Sequence, residues 1–297
     1  MAADAAAGAD RRPDADPVTD PVPPSGAPSG APSGAPSGVP AAPPSGRARA
    51  ERRGARPAAP SLLLDVVAEL LAAAAPRDGA PARVLDLGGG TGGLAVRLAA
   101  AGHEVVVVDP SPDALAALAR RADDVGVGAR LTGVQGDAED LPDHVADGSV
   151  DLLLCHGVLE VVDDPGRALV ACRRALRPTG RLSALVAARG GALLARVASG
   201  HLRQARALQL DPDGRWGAQD PLLRRFDADG ARRLLAGAGF SVLRADGVGV
   251  LPALAPRGGS ALDPAAVQAL EELERLAGTD PALLGAAGQL HLHAAPV

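Results

Sequence analysis

The chain has 297 residues, an apolar fraction of 47% and a formal net charge of −5, enough for one large buried core or two small ones. No apolar run reaches the roughly 18 residues that a membrane-spanning helix needs, and Asp4, Asp10, Asp14 and Asp16 stand where a secretion signal carries a basic then an apolar stretch. A membrane span and export are thereby excluded as expectations, and a cytoplasmic, enzyme-sized protein is predicted. Cys155 and Cys172 have neither metal-ligand spacing nor a disulfide framework, and the histidines do not cluster with them. No metal site is expected. Lysine is absent, so arginine supplies every strong positive side chain, with planar, bidentate donors for carboxylate or phosphate.

Residues 1–58 are dominated by Ala, Pro, Gly, Ser and Asp and include a Pro-Ser-Gly-Ala repeat from Pro24 to Gly38. Such a segment cannot bury enough apolar surface to offset its ordering entropy, which predicts a disordered tail. Arg47, Arg49, Arg52, Arg53 and Arg56 close it with a basic stretch that reads either as a solvated linker or as a contact for an acidic partner such as RNA. The folded domain is expected over 59–297. A serine N-cap at Ser61 opens a helical pattern, Ser-Leu-Leu-Leu-Asp-Val-Val-Ala-Glu-Leu-Leu. Next come a strand over 83–87, a helix over 91–101, a strand over 104–109, a helix over 112–124 and strands over 130–135 and 150–155. A helix over 166–177 and a strand over 180–187 follow. An insertion at about 189–227 precedes two last strands, begun by Gly237-Ala-Gly-Phe-Ser-Val and Gly288-Gln-Leu-His-Leu-His. Alternation of this kind predicts an α/β fold with mostly parallel strands, helices on both faces, and a ligand at the strands' carboxyl ends.

The first strand ends in Val-Leu-Asp-Leu-Gly-Gly-Gly-Thr-Gly-Gly-Leu over 84–94. Gly88, Gly90 and Gly92 permit positive φ and close backbone approach to a ligand, and Asp86 offers acceptors to something polar or cationic. Two registers fit. Gly88, Gly90 and Gly93 satisfy the G-x-G-x-x-G dinucleotide fingerprint, with Asp109 spaced for a ribose hydroxyl, so a dehydrogenase is one reading. The register Asp86-x-Gly88-x-Gly90-x-Gly92 is the other, with Asp109-Pro110 ending the second strand and Asp137-Ala138 ending the third. Any one of these acids is also an ordinary cap or turn residue; it is their conjunction with the glycine loop that points to a cofactor.

The second register resembles motif I of the class I S-adenosylmethionine (SAM) dependent methyltransferases. The resemblance implies a Rossmann-like, mostly parallel seven-stranded sheet with an antiparallel last strand, and SAM as cofactor. It implies that Asp86, Gly88, Gly90 and Gly92 hold the cofactor's amino-acid end, that Asp109 with Pro110 holds the ribose, and that Asp137 with Ala138 meets the adenine. Asp151-Leu-Leu-Leu-Cys-His-Gly-Val-Leu-Glu, Arg181-Leu-Ser-Ala-Leu, the helical Leu193 to Leu202 stretch, Ala269-Leu-Glu-Glu-Leu-Glu and Gln289-Leu-His resemble a narrower group, related to the tRNA 5-carboxymethoxyuridine methyltransferases. That implies a carboxylate or modified nucleoside acceptor and tRNA as partner. The chain departs from the group in carrying Gly288-Gln289 before His291 where Arg-Tyr is usual, and in having no tyrosine.

His156, ending the fourth strand, is the candidate general base and also borders the cofactor; a carboxylate nucleophile needs no base, a hydroxyl or amine does. In the insertion, Arg196, Arg224 and Arg225 are candidates for gripping a phosphate or carboxylate, and Trp216 for stacking on a base, with His291 as a further substrate contact. The bland alternatives are a solvated arginine surface and a buried anchor for a lid. The tail's charges nearly cancel, so the acidic excess belongs to the body, unlike a dedicated nucleic-acid binder. A small-molecule O- or N-methyltransferase therefore stays open beside the tRNA reading, as does a non-catalytic SAM- or RNA-binding module.

Overall fold

Valine and leucine runs become the centre of the fold because strands covered by helices on both faces must be apolar on both. The computed structural model describes residues 60–74, 79–251 and 264–297; the expected tail and its basic stretch lie outside them. Helix α1 (Pro60–Ala74) leads to β1 (Arg83–Leu87), α2 (Ala95–Ala100), β2 (Glu104–Asp109), α3 (Pro112–Val125), β3 (Leu131–Gln135) and α4 (Leu141–His144). Then come β4 (Val150–His156), α5 (Pro165–Ala175), β5 (Leu176–Ala187), α6 (Arg189–Ala198), α7 (Leu202–Leu210) and α8 (Ala228–Gly237). The chain closes with β6 (Phe240–Val248), α9 (Pro264–Thr279) and β7 (Gln289–Pro296).

The strands form one seven-stranded sheet in the order β3-β2-β1-β4-β5-β7-β6. Pairing is parallel from β3 to β5, whereas β7 runs antiparallel to both β5 and β6, so the expected topology is observed. Alternate residues supply two cores. On one face Val66, Val67, Leu70 and Leu71 of α1 join Val84, Val107, Leu152 and Leu154. On the other, Leu85, Leu153, Leu182 and Leu292 pack with Leu169 of α5 and Leu235 of α8. Both cysteines are buried in this second core, as small hydrophobes.

Some boundaries moved, each for a local reason. The helix expected from 91 begins at Ala95 because 91–94 are used by the glycine turn. The helix expected to 177 stops at Ala175, and β5 starts at once, with a register break between Val150 and Leu152 where it joins β4. The single helical stretch expected from Leu193 divides into α6 and α7, since Gly200 takes φ +75 and continues no right-handed helix. At the amino end of the sheet, Asp151 accepts from the Arg83 amide (2.8 Å) and from Arg177 (2.5 Å). At its far side, the buried Glu274 carboxylate accepts from the Gly249, Val250 and Leu251 amides, pinning α9 to the exit of β6.

Candidate active site

The carboxyl ends of β1, β2 and β3 meet at a cleft of about 500 Å³, within the size range of small-molecule sites. Gly88 donates its amide to the Val108 carbonyl (2.7 Å), drawing the glycine turn against β2. Asp109, only 7% exposed, accepts from the Gly90 amide on one oxygen (2.8 Å) and from the Ser111 amide on the other (2.9 Å). Each of its oxygens keeps a second lone pair, and Asp109, Pro110, Gly88 and Gly90 line the cleft. Asp137 accepts from the Glu139 (2.7 Å) and Asp140 (3.3 Å) amides, shaping the turn that brings Asp137 and the buried Ala138 into the same lining.

Two sequence-predicted residues stand behind this wall. Asp86 is 4% exposed, and a Cβ on Gly89 would lie 2.5 Å from its Oδ2 and 2.9 Å from Val107 Cγ1. Gly89 is therefore the glycine that lets the turn lie against the Asp86 carboxylate, and neither glycine motif marks it. Gly92, at φ +74, backs onto α3: a Cβ there would lie 2.0 Å from Leu118 Cδ1. Its requirement is for packing, and it lies outside the lining. The rim is acidic, with Glu139, Asp140, Asp163 and Asp164 beside Asp109 and Asp137. Such a rim complements a ligand bearing positive charge and opposes a polyanion.

His156 lies at the end of β4, half-buried and outside the cleft's lining. Its Nε2 is 2.8 Å from Ser183 Oγ, which is 2.7 Å from His291 Nε2. His291 is 1% exposed. It is thus a core residue, bonded to Ser183 and beside His293. Burial, and after it the neighbouring His156, His293 and Arg244, hold its pKa well below the ordinary histidine value. His293 is also lowered by burial, but Asp246 opposes that shift.

The arginines of the insertion are engaged with the protein's own groups. Arg224 donates to the Leu159, Val162 and Asp163 carbonyls, tying the insertion to the loop after β4. Arg225 forms a buried ion pair with Asp220 (2.6 Å) and donates to the Gly214 carbonyl. Both guanidinium groups are braces, Arg224 between the insertion and the loop after β4 and Arg225 within the insertion. Arg189 behaves likewise, donating to the Leu208, Gln209, Asp211 and Pro212 carbonyls at the end of α7. Arg196 instead stacks over Trp216 at 4.4 Å, so these two candidates come together. The buried Trp216 Nε1 has no hydrogen-bond partner among the described residues. Sequence reasoning missed Ser183, His293, Asp246 and Arg244; the available signal was polar residues at period two within otherwise apolar strands.

Residues 85–184 match the model of a methyltransferase domain family. That stretch is similar to a methyltransferase domain and lies within a sheet of the class I methyltransferase order. The matched segment holds the glycine turn, Asp109, Asp137, His156 and Ser183, and it ends before the insertion and His291. Over 125 residues the domain is 34% identical to the tRNA 5-carboxymethoxyuridine methyltransferase of Escherichia coli K12, covering 42% of this chain and 48% of that one. It is 41% identical over 114 residues to the ubiquinone/menaquinone biosynthesis C-methyltransferase of Dinoroseobacter shibae, covering 37% and 44%. The matched stretch thus spans about half the length, or less, of these curated relatives. Among solved structures, the geranyl diphosphate C-methyltransferase of Streptomyces coelicolor superposes with TM-score 0.53 at 17% identity, over 80% of this chain and 79% of that one. The [4+2]-cyclase SpnF superposes with TM-score 0.51 at 24% identity, over 79% and 80%. These likenesses establish the fold, and chemistry has to be argued from the site.

Proposed function

We propose that this chain transfers a methyl group from SAM to a hydroxyl or amine of a small neutral or cationic acceptor. The observation that carries the acceptor class is the acid-rimmed cleft, beside which Arg224 and Arg225 bond the protein's own carbonyls and Asp220. SAM supplies a methyl group already attached to a good leaving group, so the protein's contribution is mainly to align the nucleophile and exclude water. In this reading Asp109 receives the ribose hydroxyls on its remaining lone pairs, Asp137 and the Ala138 amide meet the adenine, and Asp86 with Gly88 and Gly90 shapes the amino-acid end. The half-buried position of His156 at the end of β4 suits a base that takes the acceptor's proton.

A second reading keeps a carboxylate or modified tRNA nucleoside as acceptor. The 34% identity to the tRNA 5-carboxymethoxyuridine methyltransferase supports it, and Arg196 with Trp216 is then the contact for the acceptor. A carboxylate needs no base. Incubating the purified protein with methyl-labelled SAM, and with total tRNA or a fractionated metabolite extract, separates the two. Label in an amine- or hydroxyl-bearing metabolite supports the first reading, and label in tRNA overturns it in favour of the second. Failure to bind SAM or S-adenosylhomocysteine overturns both.

A further inference from the structure

Across the sheet face covered by α1, four neighbouring strands carry one run of polar side chains. His156 Nε2 lies 2.8 Å from Ser183 Oγ, Ser183 Oγ 2.7 Å from His291 Nε2, and His291 Nδ1 3.4 Å from His293 Nε2. His293 Nε2 lies 3.4 Å from Asp246 Oδ2, which accepts from Arg244 Nε at 2.7 Å. Arg244 in turn reaches Glu69 of α1 at 3.3 Å. The register explains the run: His291 faces Leu185 on β5 and Asp246 on β6, while His293 faces Ser183 and Arg244. Inward-facing polar residues in buried strands are retained at a cost unless each is bonded. Here the bonds continue from the edge of the site to the opposite side of the domain.

We propose that Ser183, His291 and His293 are a proton relay, which carries the proton released at His156 during methyl transfer to His293 beside Asp246. This rests on the reading of His156 as the base. The bonds balance as follows. At rest His156 Nε2–H donates to Ser183 Oγ, the Ser183 hydroxyl donates to His291 Nε2, and His291 Nδ1–H points at His293 Nε2. The acceptor's X–H bond breaks and its electron pair goes to the new X–methyl bond, the old methyl–sulfur pair leaves with sulfur, and the proton adds to His156 Nδ1. The Nε2 proton passes to Ser183, the Ser183 proton to His291 Nε2, and the His291 Nδ1 proton to His293 Nε2. His156 and His291 end neutral with exchanged tautomers, and His293 ends as an imidazolium facing the Asp246 carboxylate.

Of His291 and His293, the second is the one with carboxylates acting for its charged form. His291 is faced by His156 and His293, with Arg244 close by, and burial opposes any charge on it. Burial lowers the pKa of His293 as well, Asp246 opposes that, Arg244 adds to it and Glu69 opposes it. A small cavity of about 40 Å³, lined mostly by apolar surface but including Asp246 and His291, adjoins the run at Asp246. Asp246 and Arg244 hold His293 in place, so all of these act through His156 and are positioning residues.

The test is ¹⁵N NMR of the histidine rings in the full chain, saturated with S-adenosylhomocysteine, titrated from neutral to acid. The relay predicts that His293 shows the imidazolium signature first, while His156 and His291 exchange tautomers and remain neutral. In Ser183→Ala, His156 is predicted to titrate by itself and His291 to keep one tautomer. Ser183→Cys, nearly isosteric and still a weak donor, is predicted to restore part of the coupling if the alanine variant folds poorly. An imidazolium on His156 with the same midpoint in wild type and Ser183→Ala overturns the relay, as does a fixed His291 tautomer in the wild type. Because this readout needs no acceptor, it stands apart from the labelling assay. Once an acceptor is in hand, Ser183→Ala is predicted to lower kcat about tenfold and shift its pH profile, with KM little changed; an unshifted profile also overturns the relay.

Discussion

The two halves of the sheet use polar residues in opposite ways. From β3 to β4, acids sit at strand ends, bond the turns beside them and open onto a cleft. From β5 to β6, Ser183, His291, His293 and Asp246 lie within the strands, near one another and buried. Asp109 and His291 are almost equally buried, at 7% and 1% exposed. The first has lone pairs facing a ligand-sized space, whereas the second has both ring nitrogens engaged in the core. Burial alone therefore does not separate a binding residue from a positioning one; what the group faces does.

The sharpest way to break this comparison is at the insertion, which belongs structurally to the second half. Removing the Asp220 carboxylate leaves Arg225 as an unpaired buried charge, so Asp220→Ala is expected to cost about 3 to 5 kcal/mol in urea unfolding. A loss under about 1 kcal/mol would mean that the pair is not the brace described. In the first half the demand is steric. Gly92→Ala places a methyl group against Leu118 at a positive φ and is expected to cost about 1 to 3 kcal/mol, read from the same transitions. An unchanged midpoint would return Gly92 to a ligand-facing role.

Acid stability gives the gentlest test. His291 stays neutral in the folded protein, while the unfolded chain takes up a proton below its ordinary value of 6.5. The unfolded state then binds more protons, so stability is full above pH 6.5 and falls as pH drops below it, by up to about 1.4 kcal/mol per pH unit for each such histidine. His293 adds in the same direction. Thermal melts of the wild type and His291→Asn between pH 7 and 5 are expected to show a shallower decline in the variant; parallel declines would contradict the burial argument.

The contrast also explains what was legible in the sequence. Val84 to Asp86 and Val105 to Asp109 spell strands and their ends because apolar runs and turn residues are local signals, and the strand alternation then leaves few topologies. The acids of the cleft were legible for the same reason. Arg224 and Arg225 were not: an arginine that grips a ligand and one that caps a carbonyl look alike until the chain has turned back on itself. His291 and Ser183 are 108 residues apart, and only the pairing of β5 with β7 makes them partners. Gly89 was missed because its constraint comes from Asp86 and Val107, outside the turn that contains it.

The most direct measurement is calorimetric binding of S-adenosylhomocysteine to the wild type, Asp109→Ala and Ser183→Ala. The account predicts micromolar binding to the wild type, a loss of about 1 to 3 kcal/mol in Asp109→Ala, and unchanged affinity in Ser183→Ala provided that it folds. An unaltered dissociation constant in Asp109→Ala, or an equal loss in both variants, would contradict the division between a cofactor-binding half and a proton-handling half.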